Sequence, residues 1–426
     1  MCGIGGILDP KRSRSEDQTR RLLDLMSVPM RMRGPDAADT WADERAGIGF
    51  CHRRLAVVDL SKHGAQPMTS RSGRWVLTYN GEIYNHREIA SDLRASGVRL
   101  RGHGDTEVLV EAIAQWGVNS TLDRIDGMYA FGLWDRDQRR LTLVRDRMGE
   151  KPLFYGTIGT GEVLFGSTLD AVAAHPGFDR PVDRNALALY LRHNCVPAPW
   201  TIREGIFKLE PGSRVDVTAD GVVGEPQRYW SYYDAVERGA TFDGTAHDAV
   251  DELDRLLRRS IQDRMFADVP VGAFLSGGID SSAVVAISQQ VAQGAVKTFT
   301  IGSPARDYDE SSDARSVAAR FGTDHTELIV SEADALRVVE QLGGIHDEPF
   351  ADSSQIPTRL VAELARKDVT VALSGDGGDE LFVGYNRYAW VPAIWKHLNR
   401  MPMALRRGGG AALGAVPPQR WDQVAR

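Results

Sequence analysis

The residues of this chain that could do chemistry sit at its start and in two glycine-bearing turns of its second half. The sequence opens MCGIGG, with a cysteine directly after the initiator Met. With Met1 removed, such a cysteine carries a free α-amine beside its thiol. That amine has an ordinary pKa of about 7.7–8.0. Part of it is then a neutral base at neutral pH, able to take the thiol's proton without a separate histidine. Taken alone, Cys2 reads better as an incidental small residue after Met. Further on, VPVGAFLSGGIDSSAVVAI ends a strand at Leu275, turns tightly through Ser276, Gly277 and Gly278, and opens a helix with Asp280, Ser281 and Ser282. Glycines let the backbone approach a ligand closely. Free N–H groups at a helix start favour phosphate or pyrophosphate. A carboxylate beside them suits Mg²⁺, which takes one or two carboxylates plus substrate phosphates. A second turn, SGDGGDELFVGY, follows the strand VTVAL and crowds Asp376, Asp379 and Glu380 beside Ser374 and Gly375. Packed carboxylates repel one another unless a cation joins them. Either turn alone reads as a capped strand–helix connection or a solvated acidic loop. The two together read as one Mg–nucleotide site, distinct from a Walker P-loop or a GxGxxG fingerprint.

These groups need elements to hold them. From residue 1 to 230 the text gives short β-like runs between Gly, Asp and Asn breakers, among them CGIGGIL, GIGFCHRRLAVVDL, GRWVLTYNGEIYN, GMYAFGLWD, RRLTLVRDR and GEVLFGS. Helical patterns interrupt them at QTRRLLDLMSVPMRMR, HREIASDLRASG and DTEVLVEAIAQWG. This predicts an α+β, sheet-based layered domain, with Cys2 at a strand end. Residues 231–248 read as a linker, and HDAVDELDRLLRRSIQDRMF as a long amphipathic helix. Residues 249–426 then alternate strand and helix, which predicts βαβ units and a parallel sheet with ligands at the carboxyl ends of its strands. The tail from about residue 400 is Gly- and Pro-rich and predicts no finished element.

The 426 residues suggest two or three domains at about 100–200 residues each. A net charge of −7 without a basic patch argues against a nucleic-acid or membrane-surface binder. Cys2, Cys51 and Cys195 are too few and too scattered for a disulfide framework or a zinc site, so a reducing, cytoplasmic compartment fits. No run of about 18 apolar residues predicts a membrane span, and the N-terminus lacks signal-peptide features.

SGGIDSS followed by SGDGGDELFVGY resembles the ATP-pyrophosphatase domain of the glutamine-hydrolysing asparagine synthetases. MCGIGG, RLAVVD, NGEIYNH and HGDTE resemble their class II glutamine amidotransferase domain. The order and spacing of these motifs match over nearly the whole chain. The resemblance implies an Ntn-hydrolase (αββα-layered) glutaminase domain over 1–230 and a Rossmann-like ATP-pyrophosphatase domain from 249. It makes Cys2 the nucleophile on glutamine's side-chain amide, with its own α-amine as base. Asn80 and Gly81 match the family's oxyanion hole; taken alone, Asn-Gly is a hairpin turn. Arg54 matches the residue gripping glutamine's α-carboxylate, with backbone of Leu55, Ala56, Val57 and Val58 lining the pocket. Glu82 and Asp105 match the groups around glutamine's ammonium. Outside the family, Arg54 and Asp105 read as ordinary surface charges. In the second half the resemblance places ATP on Phe274, Ser276, Gly277, Gly278, Asp280, Ser281, Ser282, Ile301, Ser374 and Gly375, and Mg²⁺ on Asp280 and Asp379. Asp376 stands where many members carry Glu, a residue important for forming the acyl-adenylate.

The implied reaction hydrolyses glutamine through a Cys2 thioester and passes the ammonia to an adenylated carboxylate, by resemblance aspartate. The small-molecule partners are glutamine, ATP and aspartate, and the family's common homodimer is a further expected partner. Family members continue past this motif set with a segment resembling RVPFLD that supplies a lysine and much of the acceptor pocket. Nothing after Tyr388 matches it, so the chain is expected to be C-terminally incomplete. That leaves two alternatives open: an amidotransferase for another carboxylate, on a sugar or a natural product, and a glutaminase-only or non-catalytic chain with an incomplete second site.

Overall fold

The computed structural model describes residues 1–304, 309–417 and 420. Two six-stranded antiparallel sheets make the first half. The first runs Ile206–Lys208, Phe154–Thr157, Val163–Gly166, Gly3–Leu8, Ile48–Arg54, Ala37–Asp43. The second runs Gln227–Arg228, Ser213–Thr218, Arg140–Arg145, Gly127–Asp135, Trp75–Ile83, Met68–Thr69. Side chains alternate across a strand, and the sequence follows that period. Val76 and Trp134 point between the sheets to meet Ile4, Phe50 and Phe165. Leu77, Tyr79, Phe131 and Leu133 point to the outer face, where helix Asp105–Arg124 covers them with Leu109, Val110 and Ile113. On the other side, Leu23 and Met26 of helix Glu16–Ser27 pack on Ile7, Cys51 and Leu164. Phe165 explains a glycine of the opening motif. A Cβ at Gly6 would lie 2.2 Å from its ring and one at Gly132 would lie 2.6 Å away, so bare backbone on both sheets makes room for one aromatic side chain.

The second half carries a four-stranded, all-parallel sheet in the order Asp324–Ile329, Lys297–Gly302, Val271–Phe274, Val371–Leu373. Helices cover both faces. Val285, Ala314 and Ala318 pack on one side with Ala273 and Leu275, and Leu364 and Ala365 pack with Phe299 on the other. The alternation read from the sequence gives the parallel order observed. Helices Ile279–Val291 and Ser311–Phe321 follow the first two of its strands in chain order.

Three local expectations differ. The 231–248 stretch is not bare linker but contains helix Tyr232–Gly239, with none of its residues buried. The second helix begins at Ala246, inside the stretch read as linker, behind a Thr245–Asp248 capping box. Helix Met403–Gly414 runs straight through three consecutive glycines, each costing about 1 kcal/mol relative to alanine in a helix. The good formers Ala404, Leu405, Arg406, Arg407, Ala411, Ala412 and Leu413 on either side carry it. Among the described residues, no helix is long and apolar enough to cross a membrane.

Candidate functional sites

Cys2 directly precedes the strand Gly3–Leu8, in the middle of the first sheet. Its Sγ lies 3.4 Å from the Leu55 N–H, which donates to it, and 3.5 Å from the Leu55 carbonyl. Burial pushes the thiol up from its ordinary value, and the Leu55 N–H opposes that shift. The α-amine of this chain is on Met1, where burial pulls it down to about 6, with Arg33 and Lys151 adding to the effect. Arg33 Nε donates to the Cys2 carbonyl at 3.1 Å, and Lys151 Nζ stands 3.3 Å from Met1 Sδ. Neither cation was read as functional from the sequence. They lie in charged turn stretches with no spacing to single them out.

Asn80 and Gly81 lie inside the strand Trp75–Ile83, paired with Ala130 and Tyr129, and so do not form the hairpin turn that the dipeptide alone suggests. The Asn80 side chain is fully buried, yet neither its Nδ2 nor its Oδ1 has a hydrogen-bond partner. Buried polar groups are nearly always paired, so this amide needs an explanation. Gly81 has no room for a side chain, since a Cβ would sit 2.3 Å from the Met128 carbonyl oxygen. Glu82 is pushed up to about 8 by burial and then by the charge of Asp105. Asp105 is itself buried, not a surface charge, and accepts from the Tyr79 hydroxyl at 2.7 Å and the Ile83 N–H at 3.0 Å. Arg54 donates to the carbonyls of Ser61 and Asp59. Leu55 to Val58 are half-buried. Two of their backbone groups are engaged elsewhere: the Ala56 N–H donates to Asp36, and the Val57 carbonyl accepts from Asp268 N–H of the second half.

A cavity of about 730 Å³ opens at the carboxyl ends of the parallel strands. Of the residues read from the sequence, Phe274, Ser276, Gly278, Asp280, Ser281, Ile301, Ser374, Gly375, Asp376 and Asp379 line it. Gly277 and Ser282 do not. Gly277 takes φ +84°, which favours glycine, against the backbone of Ala314. The Ser282 N–H donates to Gly278 O within the helix. The wall also holds Glu310, Pro357, Thr358, Val361 and Phe382, which sequence reading missed. The sheet rule that binding occurs at strand ends could have pointed to Thr300, also on the wall. Pro357 and Thr358 come from a helix with no motif. The two turns touch. A Cβ at Gly375 would lie 2.9 Å from Ser281 N, and one at Gly378 would lie 2.4 Å from Asp280 Oδ2. Bare backbone thus surrounds the carboxylates, and Asp280 and Asp379 share one cavity. Among the described residues no group of three acidic, His or Cys side chains is gathered for a metal. Two carboxylates suit Mg²⁺ that brings phosphates with it.

Residues 1–230 match the family model described as glutamine amidotransferase domain, and residues 252–425 that described as asparagine synthase. Asparagine synthetase [glutamine-hydrolyzing] 1 of Bacillus subtilis is 33% identical over 96% of this chain and 62% of its own length. The putative asparagine synthetase [glutamine-hydrolyzing] of Mycobacterium tuberculosis H37Rv is 36% identical over 98% of this chain and 65% of its own length. Putative asparagine synthetase [glutamine-hydrolyzing] 2 of Methanocaldococcus jannaschii is 33% identical over 90% and 76%. The chain therefore spans a little under two thirds of the first two relatives.

Proposed function

This chain belongs to the glutamine-hydrolysing asparagine synthetase family, and we propose that it moves glutamine's amide nitrogen onto an ATP-activated carboxylate, that of aspartate. The observation that carries the glutaminase half is the unpartnered, fully buried amide of Asn80. A buried donor without a partner costs about 1–3 kcal/mol, and a transient oxyanion would give it one. After Met1 removal, the Cys2 α-amine takes the thiol proton and Sγ attacks the side-chain carbonyl carbon of glutamine. Charge develops on the carbonyl oxygen, where Asn80 Nδ2 and the Gly81 N–H are suited to hold it. Ammonia leaves with the proton, and water hydrolyses the thioester to glutamate. Arg54 offers a fork for the substrate's α-carboxylate, along the Leu55–Val58 backbone, and Glu82 with Asp105 face its ammonium. The sheet pair and its outer helices fit an Ntn-hydrolase layering.

In the second half, a Rossmann-like ATP-pyrophosphatase domain, Ser276–Ser282 would cradle the pyrophosphate end of ATP while Phe274, Ile301, Ser374 and Gly375 hold the nucleoside. Asp280 and Asp379 are the residues that would hold Mg²⁺, which would neutralise phosphate charge. The aspartate carboxylate oxygen attacks the α-phosphorus and pyrophosphate leaves. Ammonia then attacks the acyl carbon and AMP leaves with its oxygen. Asp376, which accepts from Ser374 Oγ at 3.0 Å, stands beside that exchange. Cytoplasmic operation and self-association as a homodimer belong to the same proposal.

The test is one incubation of the chain with Mg-ATP, glutamine and aspartate, with AMP, asparagine and glutamate quantified together by mass spectrometry. Equal amounts of the three support the reading. Glutamate without AMP overturns the second half of it, and AMP only with another carboxylate replaces the acceptor.

A further inference from the structure

The stretch that carries Arg54 and the Leu55–Val58 backbone is held from outside the first half. Asp268 of the second half lies between helix Ala246–Arg264 and the strand Val271–Phe274. Its N–H donates to the Val57 carbonyl at 2.9 Å, and its Oδ2 accepts from the Asp59 N–H at 2.8 Å. The two bonds bracket Val58. The same Oδ2 stands 2.8 Å from His103 Nε2. His103 braces the turn a second time, since its own N–H donates to Asp59 Oδ2 at 3.2 Å. Asp59 is buried, and its Oδ1 accepts from the Ser61 N–H at 3.1 Å and the Ser61 hydroxyl at 2.5 Å. This turn needs its ties. Asp59 has φ +55°, a left-handed conformation uncommon outside glycine, and such residues persist where their surroundings over-determine them. The turn in turn holds Arg54, whose guanidinium donates to the carbonyls of Asp59 and Ser61.

We propose that Asp268 is a positioning residue for glutamine binding, supplied by the second half: by holding Val57, Asp59 and His103 it sets where Arg54 meets the substrate's α-carboxylate. The glutamine pocket then has its binding geometry only when the two halves are docked. Asp268 stands three residues before the strand Val271–Phe274, which leads into the Ser276 turn of the nucleotide cavity. One short segment therefore reaches both sites.

This inference rests on the glutaminase reading of Cys2 and Arg54, so its test carries a readout that does not. In the Met1-processed full chain, Asp268→Ala removes the acceptor for Asp59 and His103 and leaves the backbone bond to Val57. KM for glutamine is expected to rise about 10-fold or more, the lower end of what a hydrogen bond to a charged group contributes. Arg54 grips a part of the substrate that does not react, and lost ground-state binding raises KM alone, so kcat should stay within about threefold. Asp268→Asn keeps an oxygen for the Asp59 N–H and should bring KM back to within about threefold of the wild type. Arg259→Ala breaks another contact between the halves, the exposed ion pair with Glu88 at 3.1 Å, and should leave KM within about twofold. The independent readout is amide hydrogen exchange followed by peptide mass. Exchange over residues 55–61 should quicken at least about tenfold in Asp268→Ala and return in Asp268→Asn, while residues 127–135 stay as in the wild type. An Asp268→Ala chain that binds glutamine with the wild-type KM overturns the proposal, and so does an Arg259→Ala chain whose KM rises as far. A wild type that releases no glutamate overturns the glutaminase reading instead, and the exchange rates then decide by themselves whether Asp268 holds the turn.

Discussion

Replacing Asn80 by alanine should separate activity from stability. In most cores, removing a buried side chain destabilises by transfer and cavity terms together. Here the deleted amide is fully buried and bonds to nothing, so its removal relieves a desolvation penalty of about 1–3 kcal/mol. Against that stands the void left by three heavy atoms, at about 1 kcal/mol for each methyl-sized gap. The two partly offset, and the net should lie between zero and about 2 kcal/mol of destabilisation. A domain of this size moves about 2–4 °C per kcal/mol, so Tm should fall by no more than about 8 °C. Losing one oxyanion donor costs about 10²–10³ in kcat. The assay is glutamate release at saturating and limiting glutamine, with a thermal melt on the same preparation. A melt lowered by more than about 8 °C (about 2 kcal/mol or more by the same scaling), with kcat reduced less than tenfold, would refute the reasoning. Asn80 would then be a core residue, with partners in solution.

Gly81→Ala should do the reverse. Its Cβ would lie 2.3 Å from the Met128 oxygen and 2.7 Å from Tyr129 Cα, and neither backbone can yield easily. A cost of about 2–3 kcal/mol should lower Tm by about 4–12 °C, read by calorimetry. Asp280→Asn and Asp379→Asn should each abolish AMP formation from Mg-ATP while glutamate release continues, both followed by chromatography. His103 bonds Asp268 across the two halves at 2.8 Å, with Asp59 at 3.8 Å on its other nitrogen. Its pKa is raised, first by the Asp268 bond, and that of Asp268 is lowered by the same bond. A raised histidine stabilises below its unfolded value near 6.5 and loses that contribution as pH rises through the folded value. A lowered carboxylate stabilises above about 3.8 and loses its contribution on acidification. The Tm difference between wild type and His103→Gln should therefore be largest between about pH 4 and 6.5 and shrink above it. A difference that is flat to pH 8.5 would remove the pair from the account.

Much of the architecture was legible because each period in the sequence has a single structural use. Val76, Leu77 and Tyr79 alternate because one face of their strand meets a sheet and the other a helix. The strand–helix alternation after residue 270 admits little besides the parallel sheet observed. That the two glycine-bearing turns line one cavity was legible because glycine beside acid at a strand end is chemically unusual. Three things were hidden. Helix Tyr232–Gly239 is eight residues long and buries nothing, so Tyr232, Tyr233 and Val236, though at helical spacing, make too short a run to stand out from a linker. Asn-Gly at 80–81 carries a turn signal that the pairing with Gly127–Asp135 overrides. The docking of Glu348 onto Ile202 and Lys208 joins positions more than a hundred apart, and no local pattern encodes it.

The claim that two sites in one chain hand over a single nitrogen is tested most directly by isotope. The full chain would be given Mg-ATP, aspartate and glutamine labelled with ¹⁵N in its side-chain amide, in the presence of unlabelled ammonium, and the product amide would be weighed by mass spectrometry. The account predicts that the wild type places ¹⁵N in the new amide with one AMP per amide formed, and that Cys2→Ala makes only unlabelled amide from ammonium. Label released as free ammonia, with no AMP and no labelled amide, would contradict it.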